Sequence, residues 1–161
     1  EELDEQFERD RQEREDKYLK PPLDQQIGKR TDRMQERVEQ WLGNVTAAQR
    51  QRIHEWAEAL NKQNQLWLDN RAQWQRSMVD AVRNRDQANF DERIARLLQD
   101  REVYWTAPYR AAFPAVEQAT IDLIVDLYDT ADATQRRHIS ERLQDMRRDL
   151  GSLDCLPATA D

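Results

Sequence analysis

The sequence predicts an all-α protein, an elongated antiparallel bundle of about six helices, and three observations carry this prediction. Its 161 residues include three Gly and five Pro, which leaves little room for β-hairpins. Apolar residues recur at three- and four-residue steps over several long stretches, as on one face of a helix. Charged residues make up 35% of the chain and the mean hydropathy is −1.08. This composition is typical of a slender bundle with solvated outer faces.

The bundle is organised around the stretch 46–83, which contains neither Pro nor Gly. Thr46 is a good N-cap, and Gln49 stands three residues later, as in a capping box. The stretch predicts one long central helix over about 47–83, which would be about 55 Å long at roughly 1.5 Å per residue. A helix of this length is not stable alone, so other helices are expected to cover its apolar stripe of Ile53, Ala57, Leu60, Trp67, Trp74, Met78 and Val82.

Residues 1–20 predict a charged N-terminal helix, which Pro21 and Pro22 end. Its apolar stripe is too thin to fix the helix onto a core, so its packing partner is expected upstream of Glu1. Because the sequence begins without Met, it is typical of a mature or trimmed piece of a longer protein. The stripe consists of Leu3, Phe7, Tyr18 and Leu19.

Residues 21–151 are predicted to form the helical bundle, followed by a flexible tail over 152–161. A helix over 23–42 is expected to fold back on the central helix because the loop 43–45 is short. The stretch 119–128 is apolar on a wide arc and is expected to be the most buried helix segment. Capping signals predict three more elements: a helix from Asp86 to about Gln99, then an irregular segment 100–105; a helix from Thr106 to about Tyr128, kinked by Pro114; and a helix from Asp132 that Gly151 ends.

A weak internal repeat relates two hairpins of the bundle. Residues 46–50 are Thr-Ala-Ala-Gln-Arg, and residues 132–136 are Asp-Ala-Thr-Gln-Arg. Each copy has an N-cap residue, Ala, any residue, Gln and Arg, and Ile53 then corresponds to Ile139. The pattern has two interpretations: two related antiparallel hairpins, or two helices that each begin with a good cap.

The Thr-x-x-Gln-Arg cap after an aliphatic residue resembles the Leu-Thr-x-x-Gln signature of small periplasmic helical stress proteins of the Spy/CpxP type, although Val45 and Asp132 replace its Leu and Thr. Segments 38–43, 66–75, 107–112 and 132–150 extend the resemblance in order and spacing. Together they resemble the C-terminal part of an uncharacterised family of Gram-negative envelope lipoproteins, a domain of unknown function. This resemblance implies a location in the periplasm and a lipid anchor on a Cys upstream of the sequence.

Charge and motifs argue against several function classes. The net charge of −7 is spread without a basic stripe, so nucleic acid is not an expected partner. No segment approaches 18 apolar residues, so contact with a membrane is expected only through the upstream lipid anchor. The sequence contains no Gly-rich phosphate loop and no G-x-S-x-G motif. We therefore expect neither an enzyme nor a cofactor.

Metal-ligating residues are sparse in the sequence. His54 and Glu58 stand four residues apart, and His138 and Glu141 three apart, but neither pair completes a standard ligand set. Cys155 is the single Cys, so an internal disulfide and a Cys-based zinc site are excluded. We expect no metal site, whereas Cys155 could pair between molecules in an oxidising compartment.

The sequence is therefore interpreted as a non-enzymatic periplasmic lipoprotein domain that acts as a helical protein-interaction or chaperone-like module. Its partner would be a protein client or an envelope protein. The alternative is a small-ligand carrier whose pocket between helices takes a lipid or an anionic amphiphile, with Arg71 and Arg110 on the head group. Trp, Tyr and Arg dominate binding energy where they are exposed, and the predicted partner-binding residues are Trp67, Arg71, Trp74, Trp105, Tyr109 and Arg110.

Arg71 lies between Trp67 and Trp74 on one helical strip, and its role depends on burial. If the strip is interior, Arg71 needs a carboxylate, and Glu36 or Glu39 on the antiparallel helix is the nearest candidate by pattern. If the strip is exposed, Arg71 is a recognition residue or extends to the rim of the bundle.

Overall fold

In a computed structural model, the fold is described for residues 2–153, which form seven α-helices, one short 3-10 helix and no strand. This confirms the predicted all-α class. The part of the predicted tail beyond Leu153, with Cys155, lies outside the described residues. The helices are α1 (Glu2–Tyr18), α2 (Leu23–Leu42), α3 (Ala47–Ala59), α4 (Gln63–Arg83), α5 (Phe90–Gln99), a 3-10 helix (Arg101–Tyr104), α6 (Ala107–Asp129) and α7 (Ala133–Leu153).

The prediction of one central helix over 47–83 is wrong, because the helix is interrupted between α3, which ends at Ala59, and α4, which begins at Gln63. Asn61 has a φ of +27°, on the left-handed side that Asn tolerates better than most residues. The buried Arg30 of α2 stabilises the break: its guanidinium donates to the carbonyl of Ala57 at 2.6 Å and to that of Asn61 at 3.3 Å. These carbonyls lie where α3 ends, and a cation there satisfies them and interacts favourably with the helix dipole.

Four helices form the more tightly packed half of the molecule. α2 and α3 make the predicted antiparallel hairpin, α6 packs against α3, and α7 packs against α2. The second hairpin, α6–α7, therefore covers the first one: α6 lies on α3, and α7 lies on α2. The apolar core of this half consists of Leu42, Val45, Ile53, Trp56, Ala57, Leu123, Leu127 and Ala131.

The N-termini of α3 and α7 meet at one joint, which we call the capping junction (Thr46, Gln49, Asp132 and Gln135). Thr46 and Gln49 form the predicted capping box, and Asp132 and Gln135 form a second one. The two buried Gln side chains also bond each other, at 3.1 Å from Gln49 Nε2 to Gln135 Oε1 and 2.9 Å in the reverse direction. Each copy of the repeat thus caps its own helix and holds the other copy.

The Arg of the repeat has the same contact in both copies. Arg50 donates to the Val45 carbonyl at 2.6 Å, and Arg136 donates to the Ala131 carbonyl at 3.0 Å. Val45 and Ala131 immediately precede the two caps, and both are buried. The capping box and the Arg contact occur in both copies, and the two Gln residues bond each other, so the structure favours the interpretation of two related hairpins over two unrelated caps.

The segment 119–128 of α6 is not the most buried helix segment, contrary to the prediction from its apolar arc. Leu123 and Leu127 are buried in the core, but this is only one of two apolar faces. The α2–α3 hairpin covers that face, and the other face points away from it. The outward face is 47–60% exposed and consists of Ile121, Ile124, Val125 and Tyr128.

The second half of the molecule is thinner and is built around α4. α1, α5, the 3-10 helix and α6 all contact α4. The expectation that α1 finds its partner upstream is therefore wrong, because its stripe packs on α4 through aromatic rings. The ring centroids of Phe7 and Trp74 lie 6.3 Å apart, and those of Tyr18 and Trp67 lie 6.0 Å apart. Such pairs stabilise a contact beyond the area that they bury.

Predicted boundaries near α5 and α7 also need correction. α5 begins at Phe90 rather than at Asp86, because successive turns occupy residues 84–89. The segment predicted as irregular after Asp100 contains the 3-10 helix, and α7 continues through Gly151.

The start of α6 agrees with its capping signal. The Thr106 hydroxyl accepts from the Tyr109 backbone N–H at 3.4 Å, and Pro lies in the first turn as predicted. Within residues 2–153, no helix has both the length and the apolar character needed to cross a membrane.

Candidate partner-binding cleft

Five of the six predicted partner-binding residues line one open cleft between α1, α4, the 3-10 helix and the start of α6. The cleft has a volume of about 380 Å³, and we call it the aromatic cleft. All five side chains are half-buried, so their rings and the guanidinium remain accessible. The predicted residues are Trp67, Arg71, Trp74, Trp105 and Tyr109, and the cleft is completed by Phe7, Asn70, Arg101 and Tyr104.

Helical register explains why three of these side chains converge. Trp67, Arg71 and Trp74 are four and three residues apart on α4, so they project from one strip. The indole N–H of Trp74 donates to the carbonyl of Leu97 at 2.8 Å. This bond fixes the orientation of the ring at the edge of α5 while leaving it half-buried.

Trp105 and Tyr109 belong to an aromatic cluster at the start of α6. The ring centroid of Trp105 lies 5.2 Å from that of Tyr109 and 4.6 Å from that of Phe113. Asn70 of α4 accepts from the Thr106 backbone N–H at 2.9 Å, which ties this cluster to α4. Burial raises the pKa of the Tyr109 hydroxyl. The phenol is therefore neutral near pH 7 and is a hydrogen-bond donor.

Arg71 is paired with α1 and not with α2. Its guanidinium donates to Asp10 Oδ2 at 3.0 and 3.1 Å, so Glu36 and Glu39 are wrong as its expected partners. Gln75 donates to the same oxygen at 3.0 Å. The side chain of Asp10 is 23% exposed and that of Arg71 is 33% exposed. The pair is half-buried, between the interior and the exposed alternatives.

Asp10 is the centre of a polar network at the α1–α4 contact. Arg14 donates to its other oxygen, Oδ1, at 2.8 Å. Burial alone would raise the pKa of Asp10, but the hydrogen bonds and charges of Arg71 and Arg14 outweigh burial and hold the pKa below its ordinary value of 3.8. Asp10 is therefore ionised near pH 7 and orients Arg71 beside the two Trp rings.

Arg110 lies beside the aromatic cleft and does not line it. Its guanidinium is 5.9 Å from the Trp105 ring centroid and donates to the Glu102 carbonyl. Arg71 and Arg110 therefore do not converge as two free cations for an anionic head group. Arg101 does line the cleft, and within the described part of the chain its guanidinium has neither an ion pair nor a hydrogen bond.

Four lining residues are not among those predicted from the sequence: Phe7, Asn70, Arg101 and Tyr104. Phe7 was assigned only to the thin stripe of α1; the parallel occurrence of aromatic residues in α1 and α4 is the signal that could have paired them. Tyr104 and Arg101 fall in the segment predicted as irregular, where sequence pattern carries no side-chain direction. The single 3-10 turn aims both of them at the cleft.

The His residues lie outside the aromatic cleft. His54 Nε2 is 3.5 Å from Glu58 Oε1, and His54 Nδ1 is 3.2 Å from the Thr31 hydroxyl. Among the side chains that the structure describes, no group of three or more His, Cys, Asp or Glu is arranged to hold a metal ion.

Residues 1–110 match the family model of DUF6279, a family of unknown function. The chain belongs to this family. Neither the curated proteins nor the solved structures contain a significant match. The DUF6279 match ends before the segment 132–150, so it supports neither that part of the expected resemblance nor the likeness to Spy/CpxP-type proteins.

The DUF6279 segment contains the whole aromatic cleft. Every lining residue, from Phe7 to Tyr109, falls within 1–110, as does Asp10. Most of α6 and all of α7 lie beyond the match. The cleft thus lies within the DUF6279 segment, whereas most of the second hairpin lies outside the match.

Proposed function

We propose that this DUF6279 chain is a non-enzymatic helical domain of a periplasmic lipoprotein, with a protein-interaction or chaperone-like role. Its partner is a protein client or an envelope protein, and the aromatic cleft holds it. The observation that carries the proposal is the convergence of Trp67, Trp74, Trp105 and Tyr109 in one open cleft. Rings of this kind dominate binding energy at protein interfaces.

The chemistry of the cleft suits exposed segments of polypeptide. Half-exposed rings provide broad apolar faces, and the guanidinium groups of Arg71 and Arg101 provide donors at their edges. An apolar side chain can lie on an indole while neighbouring carbonyls or carboxylates accept from the guanidinium. Because the cleft is open, it does not select one narrow side-chain shape, which fits clients of varied sequence.

Aggregation of a client protein tests the proposal directly. A chemically denatured client is diluted into buffer with one equivalent of the chain, and light scattering is followed. We expect the wild type to suppress aggregation, and the double variant Trp67→Ala/Trp74→Ala to lose most of this effect because two stacking faces are removed.

Leu23→Ala is the control for this experiment. Leu23 is an apolar residue that is 48% exposed, but it belongs to the start of α2 and lies outside the cleft. The control should retain suppression. A wild type without any effect, or equal losses in the cleft variant and in the control, would contradict the proposal.

The periplasmic location and the lipid anchor belong to the same proposal. They rest on the resemblance of segments 38–43 and 66–75 to envelope lipoproteins, and both segments lie inside the DUF6279 match. Fractionation of cells that express the full gene product tests this location. We expect the protein in the envelope fraction, released when an upstream lipobox Cys is replaced; recovery of the wild type in the cytoplasm would contradict it.

A small-ligand carrier is the second candidate function, and the volume of the cleft favours it. Its volume of about 380 Å³ falls within the range of roughly 300–1,000 Å³ of ligand pockets. An amphiphile could lie on the Trp rings with its anionic head group at Arg101. Native mass spectrometry of the chain purified from cells distinguishes the two. A bound amphiphile that Arg101→Ala loses would support the carrier, and ligand-free protein that protects clients would support the interaction module.

A further inference from the structure

The second hairpin carries apolar side chains that the described part of the chain does not cover. On α6, the outward face includes Ile124 and Val125, which are 60% and 50% exposed. On α7, Leu143, Met146 and Leu150 form a stripe at helical spacing and are 45–61% exposed. Exposed apolar faces on two consecutive helices are unusual for a monomer and mark an interaction surface.

The outward face of α6 borders a groove of about 360 Å³ with α2 as its floor. α7 contributes Ile139 to this groove, one helical turn before its exposed stripe begins at Leu143. The groove arises because α6 and α7 pack on different helices of the α2–α3 hairpin and diverge from each other. Its lining is largely apolar and includes Val38 and Trp41 of α2, Ile124 and Tyr128 of α6, and Ile139 of α7.

The net charges beside the two faces are opposite in sign. No Lys or Arg occurs between residues 111 and 129, and the carboxylates Glu117, Asp122 and Asp129 flank the outward face of α6. On α7, by contrast, Arg142 and Arg147 flank the apolar stripe, with one carboxylate, Asp149, on the side of Arg142. An α6 helix set against the α7 helix of another copy would therefore pair acidic with basic rims along an apolar seam.

The two faces also agree in length. The outward face of α6 spans 121–128 and the stripe of α7 spans 143–150, so each extends about 10 Å along its helix.

We propose that this surface binds a second copy of the chain, and that two copies form a symmetric dimer in which α6 of each lies against α7 of the other. Two-fold symmetry uses the same surface on both copies, so each α6–α7 contact occurs twice. The aromatic cleft lies in the other half of the molecule and remains outside this interface. The dimer therefore does not depend on the function proposed for the cleft.

Sedimentation velocity of the 161-residue chain at micromolar concentrations tests the dimer. We expect the wild type to sediment with twice the mass of one chain. Ile124→Glu/Leu143→Glu places a charge on each apolar face and should raise the dissociation constant by about tenfold or more. Val103→Glu is the matched control, because Val103 is 65% exposed in the 3-10 helix and lies outside this surface; it should leave the dimer unchanged.

A charge-reversal pair tests the α6-to-α7 arrangement itself. Asp122→Lys/Asp129→Lys makes the α6 rim basic, and Arg142→Glu/Arg147→Glu makes the α7 rim acidic. Each variant alone sets like charges against each other and should dimerise more weakly than the wild type. An equimolar mixture should regain the dimer, because a heterodimer then pairs opposite charges at both contacts.

Several results would overturn the proposal. These are a wild type that stays monomeric at every concentration, a control variant that weakens the dimer as much as the apolar double variant, and a charge-reversed mixture that remains monomeric. A monomer that carries an apolar small molecule in native mass spectrometry would also overturn it, because the groove would then be a ligand site.

Discussion

The capping junction and the aromatic cleft use similar polar and aromatic residues in different ways. At the junction, Gln49 and Gln135 are buried and bond each other, and Trp56 nearby is 7% exposed in the apolar core. In the cleft, Trp67 and Trp74 are half-buried and belong to no such core. The half that contains the junction (α2, α3, α6 and α7; the junction half) therefore buries these Gln and Trp side chains against its own residues. The half built around α4 (the cleft half) leaves the Trp rings of the cleft accessible to a partner.

We expect the largest loss of unfolding free energy when a core residue of the junction half is truncated. Ile53 is fully buried, so Ile53→Ala should lower the free energy of unfolding by about 3 kcal/mol through lost burial and a cavity. Ile94→Ala is a matched truncation in the cleft half, where Ile94 is only half-buried, and should cost less than half as much. Urea unfolding measures both; equal losses would show that the two halves are equally well packed.

The break between α3 and α4 should depend on Arg30. Arg30→Met leaves the carbonyls of Ala57 and Asn61 without their buried donor, which should cost about 2–3 kcal/mol. Burial and the nearby charge of Arg33 lower the pKa of Arg30. Arg33→Met, at an exposed position on the same helix, is the control and should cost less than about 1 kcal/mol. Chemical denaturation that finds Arg30→Met as mild as the control would contradict this role.

The capping junction predicts coupling between its two Gln residues. Gln49→Leu should cost about 1–2 kcal/mol because Gln135 then keeps a buried, incompletely bonded amide. The double variant Gln49→Leu/Gln135→Leu should cost clearly less than the sum of the two single changes. Additive costs in a double-mutant cycle would show that the amide pair does not act as a unit.

The smallest predicted stability effect concerns the Arg71–Asp10 pair. Arg71→Ala should cost about 1 kcal/mol, because Asp10 keeps Arg14 and Gln75 as partners. The corresponding exposed change, Arg76→Ala on the same helix, should cost less. A loss of about 3–5 kcal/mol, typical of a broken buried pair, would make Arg71 a structural residue rather than a binding one.

The same pair predicts a pH dependence with a definite sign. Because the pKa of Asp10 is lower in the folded protein than its ordinary value of 3.8, ionised Asp10 stabilises the fold above about pH 4. That contribution is lost as the pH falls from about 4 through the lower folded pKa. Arg71→Ala should therefore flatten the fall in unfolding free energy over this range, and an unchanged slope would contradict the assignment.

Sequence reasoning predicted the local features and missed those that depend on distant helices. The capping boxes, the α2–α3 hairpin and the convergence of Trp67 with Trp74 follow from short spacings. The break at Asn61 was missed because Arg30, which stabilises it, is 31 residues away in the chain. The partner of Arg71 was missed for the same reason, since Asp10 comes from a helix whose packing on α4 relies on ring contacts rather than on an aliphatic stripe.

The exposure of the outward face of α6 could not be predicted from the sequence either. An apolar arc predicts that a surface is to be covered, but not whether the same chain or another molecule covers it. Here the first hairpin covers Leu123 and Leu127 only, and the opposite side stays open. Periodicity alone therefore overstated the burial of this helix.

Binding is assigned to the aromatic cleft and stability to the capping junction. The most direct test compares, in one assay, how well a cleft variant and a junction variant protect a client from aggregation. The pair is Trp67→Ala/Trp74→Ala and Gln49→Leu, each measured at a temperature where circular dichroism shows it folded. We predict that the cleft variant loses suppression of aggregation while Gln49→Leu retains it, even though Gln49→Leu lowers the unfolding free energy. Loss of suppression in Gln49→Leu with full suppression by the cleft variant would contradict the account.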